Sequence, residues 1–200
     1  MSLRLDLLRH GETERGSGFR GSLDDALTAT GWAQMRDAVT RAQAENRAGP
    51  WDLIVSSPLQ RCARFASELA EQRGLPLHLE AGLRELHFGA WEGHSAAALM
   101  ETQAEALGLF WADPYGFTPP EGEPMVDFAA RVLAAVEDLH RRFAGRRLLL
   151  VTHGGVMRLL LAQARGLPRE QLLQVEVGHG ALFGLTVSDV QPLRLKADPA

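Results

Sequence analysis

The sequence is poor in cysteine, with Cys62 alone among 200 residues. A single thiol cannot form an intramolecular disulfide, which agrees with a reducing compartment. No apolar run approaches the roughly 20 residues that a membrane-spanning helix needs. Asp6, Arg9 and Glu12 interrupt the apolar N-terminal run, so it lacks the pattern of a signal peptide. These absences predict a cytoplasmic protein that does not associate with membranes.

An excess of basic charge is also missing. The chain carries 21 Lys and Arg against 25 Asp and Glu, for a formal net charge of −4, and the basic residues are scattered. This balance implies no general affinity for nucleic acid. There are no repeats and no linker-like segment, and 200 residues suit one domain with a sizeable core. We therefore expect a single domain spanning residues 1–200.

Strand-like and helix-like segments alternate along the chain. The predicted strands are 3–8, 51–57, 75–80, 146–152, 181–187 and 192–196. The predicted helices are one that starts after Thr28 and ends before Gly49-Pro50, then 58–73, 95–112, 125–143 and 154–165. Ser57 and Pro58 suit the N-cap and first position of the second helix. The alternation predicts an α/β fold: a three-layer sandwich whose central, largely parallel sheet is flanked by helices.

Three predicted strands end in residue types that can bind a ligand or react with it. The first ends in Arg-His-Gly (9–11), the second in Ser-Ser-Pro (56–58) with Arg61 shortly after, and the fourth in Thr-His-Gly-Gly (152–155). Parallel strands bring their carboxyl ends to one edge, where α/β sheets bind ligands. Arginine forks and helix N-termini both favour phosphate oxygens. The sequence therefore predicts a phosphate site at this edge.

His10 could do more than bind a phosphate. Two nearby arginines disfavour the imidazolium, so His10 should be neutral and able to take a phosphoryl group, forming a phosphohistidine. A proton donor must then serve the leaving oxygen, and the segment "LRELHFGAWEG" (83–93) offers Glu85 and Glu92. Glu92 suits a structural role better. No metal or other cofactor is needed if arginines stabilise the phosphoryl charge.

Four segments in order, "LRHGETE", "SSPLQRCARFA", "LRELHFGAWEG" and "VTHGGV", resemble the histidine phosphatase superfamily, in its phosphoglycerate mutase-like branch. The resemblance spans Leu5 to about Val187 and implies the phosphoglycerate mutase-like fold. It implies His10 as phosphoacceptor and Glu85 as proton donor. The residues it implies for the phosphate pocket and substrate are Arg9, Arg61, His153, Gly154, Gly21 and Ser22.

Within the superfamily, "FRGSLDDALT" and "FWADPYGFTPPEGE" look most like α-ribazole phosphatases of cobalamin biosynthesis. This implies α-ribazole 5′-phosphate as substrate and a lid-like insert over 95–124. Two residues depart from the family pattern. Gly16 stands where an asparagine commonly helps to hold the phosphate, and Pro124 stands where a serine often follows Gly-Glu.

Alternative functions remain open from the sequence. The chain could be a broad-range or sugar-phosphate phosphatase, a phosphoglycerate mutase-like enzyme, or a non-catalytic module that binds phosphate or a phosphoprotein. A pure binder needs no proton donor, so Glu85 argues against the last. The expected partner is a small-molecule phosphomonoester, with a homodimer possible. We expect rim or supporting roles for His87, His94 and His179, and packing or base stacking for Trp91, Trp111, Tyr115 and Phe117.

Overall fold

The structure, a computed structural model, describes residues 1–16, 18–188 and 194–197 and is built on one six-stranded sheet. Its strands are β1 (Leu3–Arg9), β2 (Leu53–Ser56), β3 (Leu77–Leu79), β4 (Arg147–Thr152), β5 (Leu182–Ser188) and β6 (Arg194–Ala197). They lie in the order β3-β2-β4-β1-β5-β6. The four strands from β3 to β1 run parallel, while β5 and β6 pair antiparallel. The predicted largely parallel sheet is confirmed; residues 192–193 of its last predicted strand lie outside the described residues.

Helices cover both faces of the sheet. They are α1 (Ala29–Ala44), α2 (Gln60–Arg73), α3 (Ala96–Ala112), α4 (Met125–Phe143) and α5 (Gly154–Ala164), with short 3₁₀ helices at 81–83, 89–91 and 169–174. One core joins α1 and α2 to the sheet, and a second core joins α3, α4 and α5 to the opposite face. The three-layer sandwich is confirmed. None of the described helices is long and apolar enough to cross a membrane.

Alternation along the buried strands separates the two cores. In β1, Leu5 and Leu7 face the core that contains α4 and α5, while Leu8 faces the core of α1 and α2. Leu148 and Leu149 of β4 divide in the same way. Successive side chains of a strand point to opposite faces, so a sheet covered on both sides needs a continuous apolar run. This is why the strand segments were recognisable in the sequence.

The start of α2 differs from the prediction. The N-cap is Leu59, not Ser57, and α2 begins at Gln60. The carboxylate of Asp24, from a distant loop, accepts a hydrogen bond from the Gln60 amide at 2.6 Å. Because another segment satisfies this first amide, Ser57 and Pro58 remain in the turn before the helix. The Ser57 hydroxyl is then available to the site described below.

Other helix boundaries agree with the sequence more closely. Thr28 caps α1 as predicted, accepting a hydrogen bond from the Gly31 amide at 3.0 Å, although α1 ends at Ala44, before Gly49-Pro50. Within α3, Gln103 has non-helical dihedrals that kink the helix. Pro124 is the N-cap of α4 and provides no side-chain hydrogen bond to it.

Candidate active site

The three reactive strand ends lie together at one edge of the sheet. Arg9 at the end of β1 is paired in register with Thr152 at the end of β4, and Ser56 of β2 is paired with Val151. The imidazole rings of His10 and His153 follow these ends, with centroids 5.3 Å apart. Parallel pairing thus assembles residues from distant parts of the sequence.

His10 is held in one tautomer by its own backbone. Its Nδ1 lies 2.8 Å from the carbonyl oxygen of Gly11. A carbonyl only accepts hydrogen bonds, so Nδ1 carries the proton of the neutral ring and Nε2 keeps a free lone pair. The ring is buried except for a small exposed part at the wall of a cavity. This arrangement leaves Nε2 available as a nucleophile.

Burial keeps His10 neutral. Desolvation lowers the pKa of His10 well below its usual 6.5, and the charges of Arg61 and Arg9 lower it further. The sequence indicated the arginines as the cause, whereas burial contributes most. Burying the charged imidazolium costs more free energy than burying the neutral ring. The neutral form therefore dominates at neutral pH.

Arg61 lies in the first turn of α2 and is completely buried. Its guanidinium donates to the carbonyl oxygens of Leu23 at 2.6 Å and Gly21 at 2.9 Å. Its Nε donates to Nδ1 of His153 at 3.3 Å. These three contacts fix the plane of the guanidinium behind His10.

His153 has both ring nitrogens occupied by the protein. Since Nδ1 accepts from Arg61, Nε2 carries the proton and donates to the Ser57 hydroxyl at 2.7 Å. Desolvation, followed by the charge of Arg61, lowers the pKa of His153 well below 6.5, so this ring is also neutral. His153 is fully buried beside Cys62, whose thiol has a pKa raised by burial to about 12. Neither His153 nor Arg61, both predicted for the phosphate pocket, is among the residues that line the cavity.

Arg9 lies against the start of α5. One of its terminal nitrogens donates to the carbonyl oxygen of Val177 at 2.6 Å, while its buried Nε has no partner among the described residues. A Cβ on Gly154 would lie 3.2 Å from that Nε, so glycine permits the close approach. The unpartnered Nε and the N-terminus of α5 are both potential donors to an anion.

Glu85 is held at the start of α5, the helix against which Arg9 also lies. Its two carboxylate oxygens accept hydrogen bonds from the amides of Leu86 at 3.0 Å and Gly155 at 2.9 Å. Each oxygen keeps a further lone pair, so the carboxyl group can still carry or exchange a proton. The structure thus brings Glu85 to the same cavity as Arg9 and His10.

Glu92 has the structural position expected of it. Its carboxylate accepts from the amides of Ser22 at 2.7 Å and Leu23 at 2.9 Å, and from Phe88 at 3.2 Å. The carbonyl oxygen of Gly21, the residue before Ser22, accepts a hydrogen bond from Arg61. Gly21 and Ser22 were predicted to contact substrate, yet they are not among the residues lining the cavity. In the structure they fasten the loop that holds Arg61.

The cavity has a volume of about 600 Å³ and is lined by a polar set and an aromatic set of side chains, named here the polar wall and the aromatic wall. The polar wall includes Arg9, His10, Thr13, Arg20, Glu85, Arg158 and His179. The aromatic wall includes Phe19, Phe88, Phe110, Trp111 and Phe128. Phe110 and Trp111 belong to the segment 95–124 that was predicted to be a lid-like insert, and Trp111 is 45% exposed. Of the four aromatic residues singled out in the sequence, Trp111 alone lines this cavity; Trp91 is buried and stacks on Phe117.

Several cavity residues were missed by the sequence reasoning. Arg20 donates to Thr13 and to the carbonyl of Gly16, and pairs with the buried Asp25 at 2.7 Å. Arg158 donates to the carbonyl of Val175 at 3.0 Å. Arg158 was detectable, because it follows Gly154 by four residues and therefore shares its helix face. Arg20 is placed by a loop and has no such signal.

Gly16, a departure from the family pattern, lies on the cavity wall. Its φ of +68° is in the left-handed region, which glycine and asparagine tolerate best. A Cβ there would meet no atom within 4 Å. Position 16 thus has room for a side chain that the protein does not supply. Among the residues that the structure describes, no group of three or more His, Cys, Asp or Glu could hold a metal ion.

Comparisons with known proteins find a family model, relatives and solved structures that are similar to this chain. A model of the histidine phosphatase superfamily (branch 1) matches residues 5–196. A glucosyl-3-phosphoglycerate phosphatase of Mycolicibacterium vanbaalenii is 39% identical over 176 residues, covering 82% of this chain and 75% of the relative. An adenosylcobalamin/α-ribazole phosphatase of Salmonella typhimurium is 30% identical over 189 residues, covering 94% and 92%. A solved structure of a mycobacterial glucosyl-3-phosphoglycerate phosphatase with VO3 superposes with a TM-score of 0.82 at 30% identity, covering 98% of this chain and 96% of that one.

Proposed function

The chain belongs to the histidine phosphatase superfamily and is a phosphoric monoester hydrolase, and we propose that it works through a phosphohistidine on His10. The observation that carries this proposal is the His10 tautomer. The Gly11 carbonyl holds the proton on Nδ1, which leaves Nε2 unprotonated at the wall of the cavity shared with Glu85. Because relatives of this chain are named as phosphatases, we do not propose that it is a non-catalytic binding module.

The proposed reaction has two displacements at phosphorus. The Nε2 lone pair of His10 forms an N–P bond as the ester P–O bond breaks, and the leaving oxygen takes a proton from Glu85. Water then attacks phosphorus and gives a proton to Glu85, the N–P bond breaks, and inorganic phosphate leaves. Arg9, which lines the cavity, stabilises charge on the equatorial oxygens. The buried Arg61 adds its positive charge from outside the cavity lining, and His153 holds it in place.

His10→Gln tests this mechanism. The variant should lose essentially all turnover, because no other group on the cavity wall is proposed to bond to phosphorus. Wild type quenched during turnover of a ³²P-labelled substrate should keep label through alkali and lose it in acid, since N–P bonds are acid-labile. EDTA should not change the rate if arginines alone hold the phosphoryl group. Residual turnover in the variant, or acid-stable label, contradicts the proposal.

For the substrate, we propose α-ribazole 5′-phosphate, which would place the protein in cobalamin biosynthesis and in the cytoplasm. The aromatic wall supports this, because Trp111 and its neighbours suit a benzimidazole ring. Glucosyl-3-phosphoglycerate is a second candidate. A relative named for that substrate is 39% identical, and Arg158 has no carboxylate partner among the described ion pairs, which suits a substrate with its own carboxylate.

A direct competition decides between the two substrates. The specificity constant, kcat/KM, is measured for both, with 3-phosphoglycerate and several sugar phosphates added to detect a broad-range phosphatase. Trp111→Ala should raise KM mainly for α-ribazole 5′-phosphate, and Arg158→Met mainly for glucosyl-3-phosphoglycerate. A preference below about tenfold, or 1.4 kcal/mol, would indicate a broad-range enzyme.

A further inference from the structure

We infer that the ion pair of Arg131 with Glu123 positions the proton donor Glu85 for catalysis. Neither residue lines the cavity. Arg131 lies on α4, and Glu123 lies at the end of the insert, just before that helix. The inference rests on the proposed role of Glu85 as proton donor. It adds that the Arg131–Glu123 ion pair sets the location of the Glu85 carboxyl group.

Arg131 uses all five of its N–H donors. Two of them form a fork on Glu123, at 2.6 Å and 2.8 Å. The other three reach the backbone carbonyl oxygens of Gly82 at 2.9 Å, Arg84 at 2.7 Å and Glu85 at 2.9 Å. A guanidinium has five donors in a rigid plane, so one side chain fixes three carbonyl groups of the segment that carries Glu85.

Glu123 completes the attachment on the far side of Glu85. Besides pairing with Arg131, its carboxylate lies 3.3 Å from the amide of His87. The segment from 82 to 87 is therefore fastened at both ends to one ion pair. Helix α4 also touches the start of this segment, because a Cβ on Gly82 would lie 2.7 Å from Cβ of Ala135.

This attachment acts on the backbone, whereas the carboxylate of Glu85 is aimed by the amides of Leu86 and Gly155. The amide of Gly155 on α5 holds the Glu85 carboxylate, and the Arg131–Glu123 ion pair holds its backbone. A proton donor must lie within hydrogen-bond reach of the leaving oxygen, and a misplacement of about 1 Å can cost about 100-fold in rate. The orientation of Glu85 is therefore the property that Arg131 should control.

Arg131→Lys tests the inference, because lysine keeps the charge but has three donors on a single nitrogen. The specificity constant kcat/KM, which reports only the steps up to the first displacement, is measured on ribose 5-phosphate, whose alkoxide needs a proton on leaving, and on p-nitrophenyl phosphate, whose phenolate does not. We expect kcat/KM to fall by at least about tenfold more on ribose 5-phosphate than on p-nitrophenyl phosphate. Glu123→Gln, which retains the shape of the fork, should show the same pattern more weakly.

Controls separate positioning from general loss of stability. Arg142→Lys alters an exposed ion pair with Asp138 on the same helix and should leave both rates unchanged. Glu85→Gln provides the reference pattern of leaving-group dependence. Because Arg131 acts through Glu85, adding Arg131→Lys to Glu85→Gln should cause little further selective loss.

The outcomes are distinguishable. If Glu85→Gln shows selective loss while Arg131→Lys and Glu123→Gln slow both substrates equally, the positioning inference is wrong and the proton donor stands. If Arg131→Lys does not fold, Glu123→Gln decides alone. If Glu85→Gln itself lowers kcat/KM equally on both substrates, the proposed proton donor fails, and the inference fails with it.

Discussion

Arg61 is a buried cation whose hydrogen bonds make it hard to replace. It contacts the carbonyl groups of Gly21 and Leu23 and the ring of His153. Arg61→Lys should lower kcat by about 10²–10³ and also raise KM, because the charge matters most as phosphoryl oxygens rearrange and lysine cannot keep the fork. Steady-state kinetics measure this, with the exposed Arg36→Lys as control. A change confined to KM would mean that Arg61 only docks the substrate.

Individual residues differ in how well the sequence identified them. Arg9, His10 and His153 follow apolar strands directly, so the edge of a parallel sheet predicts their meeting. Arg20 and Arg131 are brought in by a loop and by one face of a helix. Their function depends on which carbonyl groups lie opposite, and a single sequence does not contain that information. The occupied ring nitrogens of His153 depend in the same way on the exact placement of Ser57 and Arg61.

The loop that carries Gly21 is fastened to the segment around Glu92. A Cβ on Gly21 would clash with the Leu86 carbonyl oxygen and lie 2.7 Å from the Glu92 carboxylate, so Gly21→Ala must move the loop. We expect at least about tenfold lower kcat/KM and a melting temperature lower by several degrees. Ser22→Ala is the matched control, because Ser22 gives Glu92 only its backbone amide. A large rise in KM for Ser22→Ala would instead support direct substrate contact by Ser22.

Among the elements, the buried strands were found from their apolar runs, and the ends of α3, α4 and α5 were predicted to within one residue, whereas the start of α2 was not. Continuous apolar runs such as the one in β4 arise because both faces of the sheet are covered, and that burial is a local feature of the sequence. The first turn of α2 follows a different rule. Its amide at Gln60 is satisfied by Asp24, 36 residues earlier, so the local capping signal at Ser57 was overridden by a tertiary contact.

At the scale of the whole molecule, the buried histidines link folding to pH. Burial lowers the pKa of His10 and of His153 well below the value of about 6.5 in an unfolded chain. The unfolded state therefore binds protons first as the pH falls. The stability from keeping these rings neutral is fully present above pH 6.5 and is lost as the pH falls toward their folded pKa values. The lowered pKa values of Asp52 and Asp138 affect the free energy of unfolding only below about pH 4, outside the range in which the histidines act.

The free energy of unfolding should accordingly fall between pH 6.5 and pH 5. Each of the two histidines should contribute up to about 1.4 kcal/mol per pH unit, while its unfolded form is protonated and its folded form is not. Urea unfolding at half-unit steps of pH measures this slope. His153→Gln should be less stable at pH 8, because it loses ring contacts with Arg61 and Ser57. Its free energy of unfolding should depend less steeply on pH, because the contribution of one histidine is removed. The exposed His94→Gln should keep the wild-type slope. If His153→Gln also keeps that slope, His153 is not a buried neutral base in the folded protein.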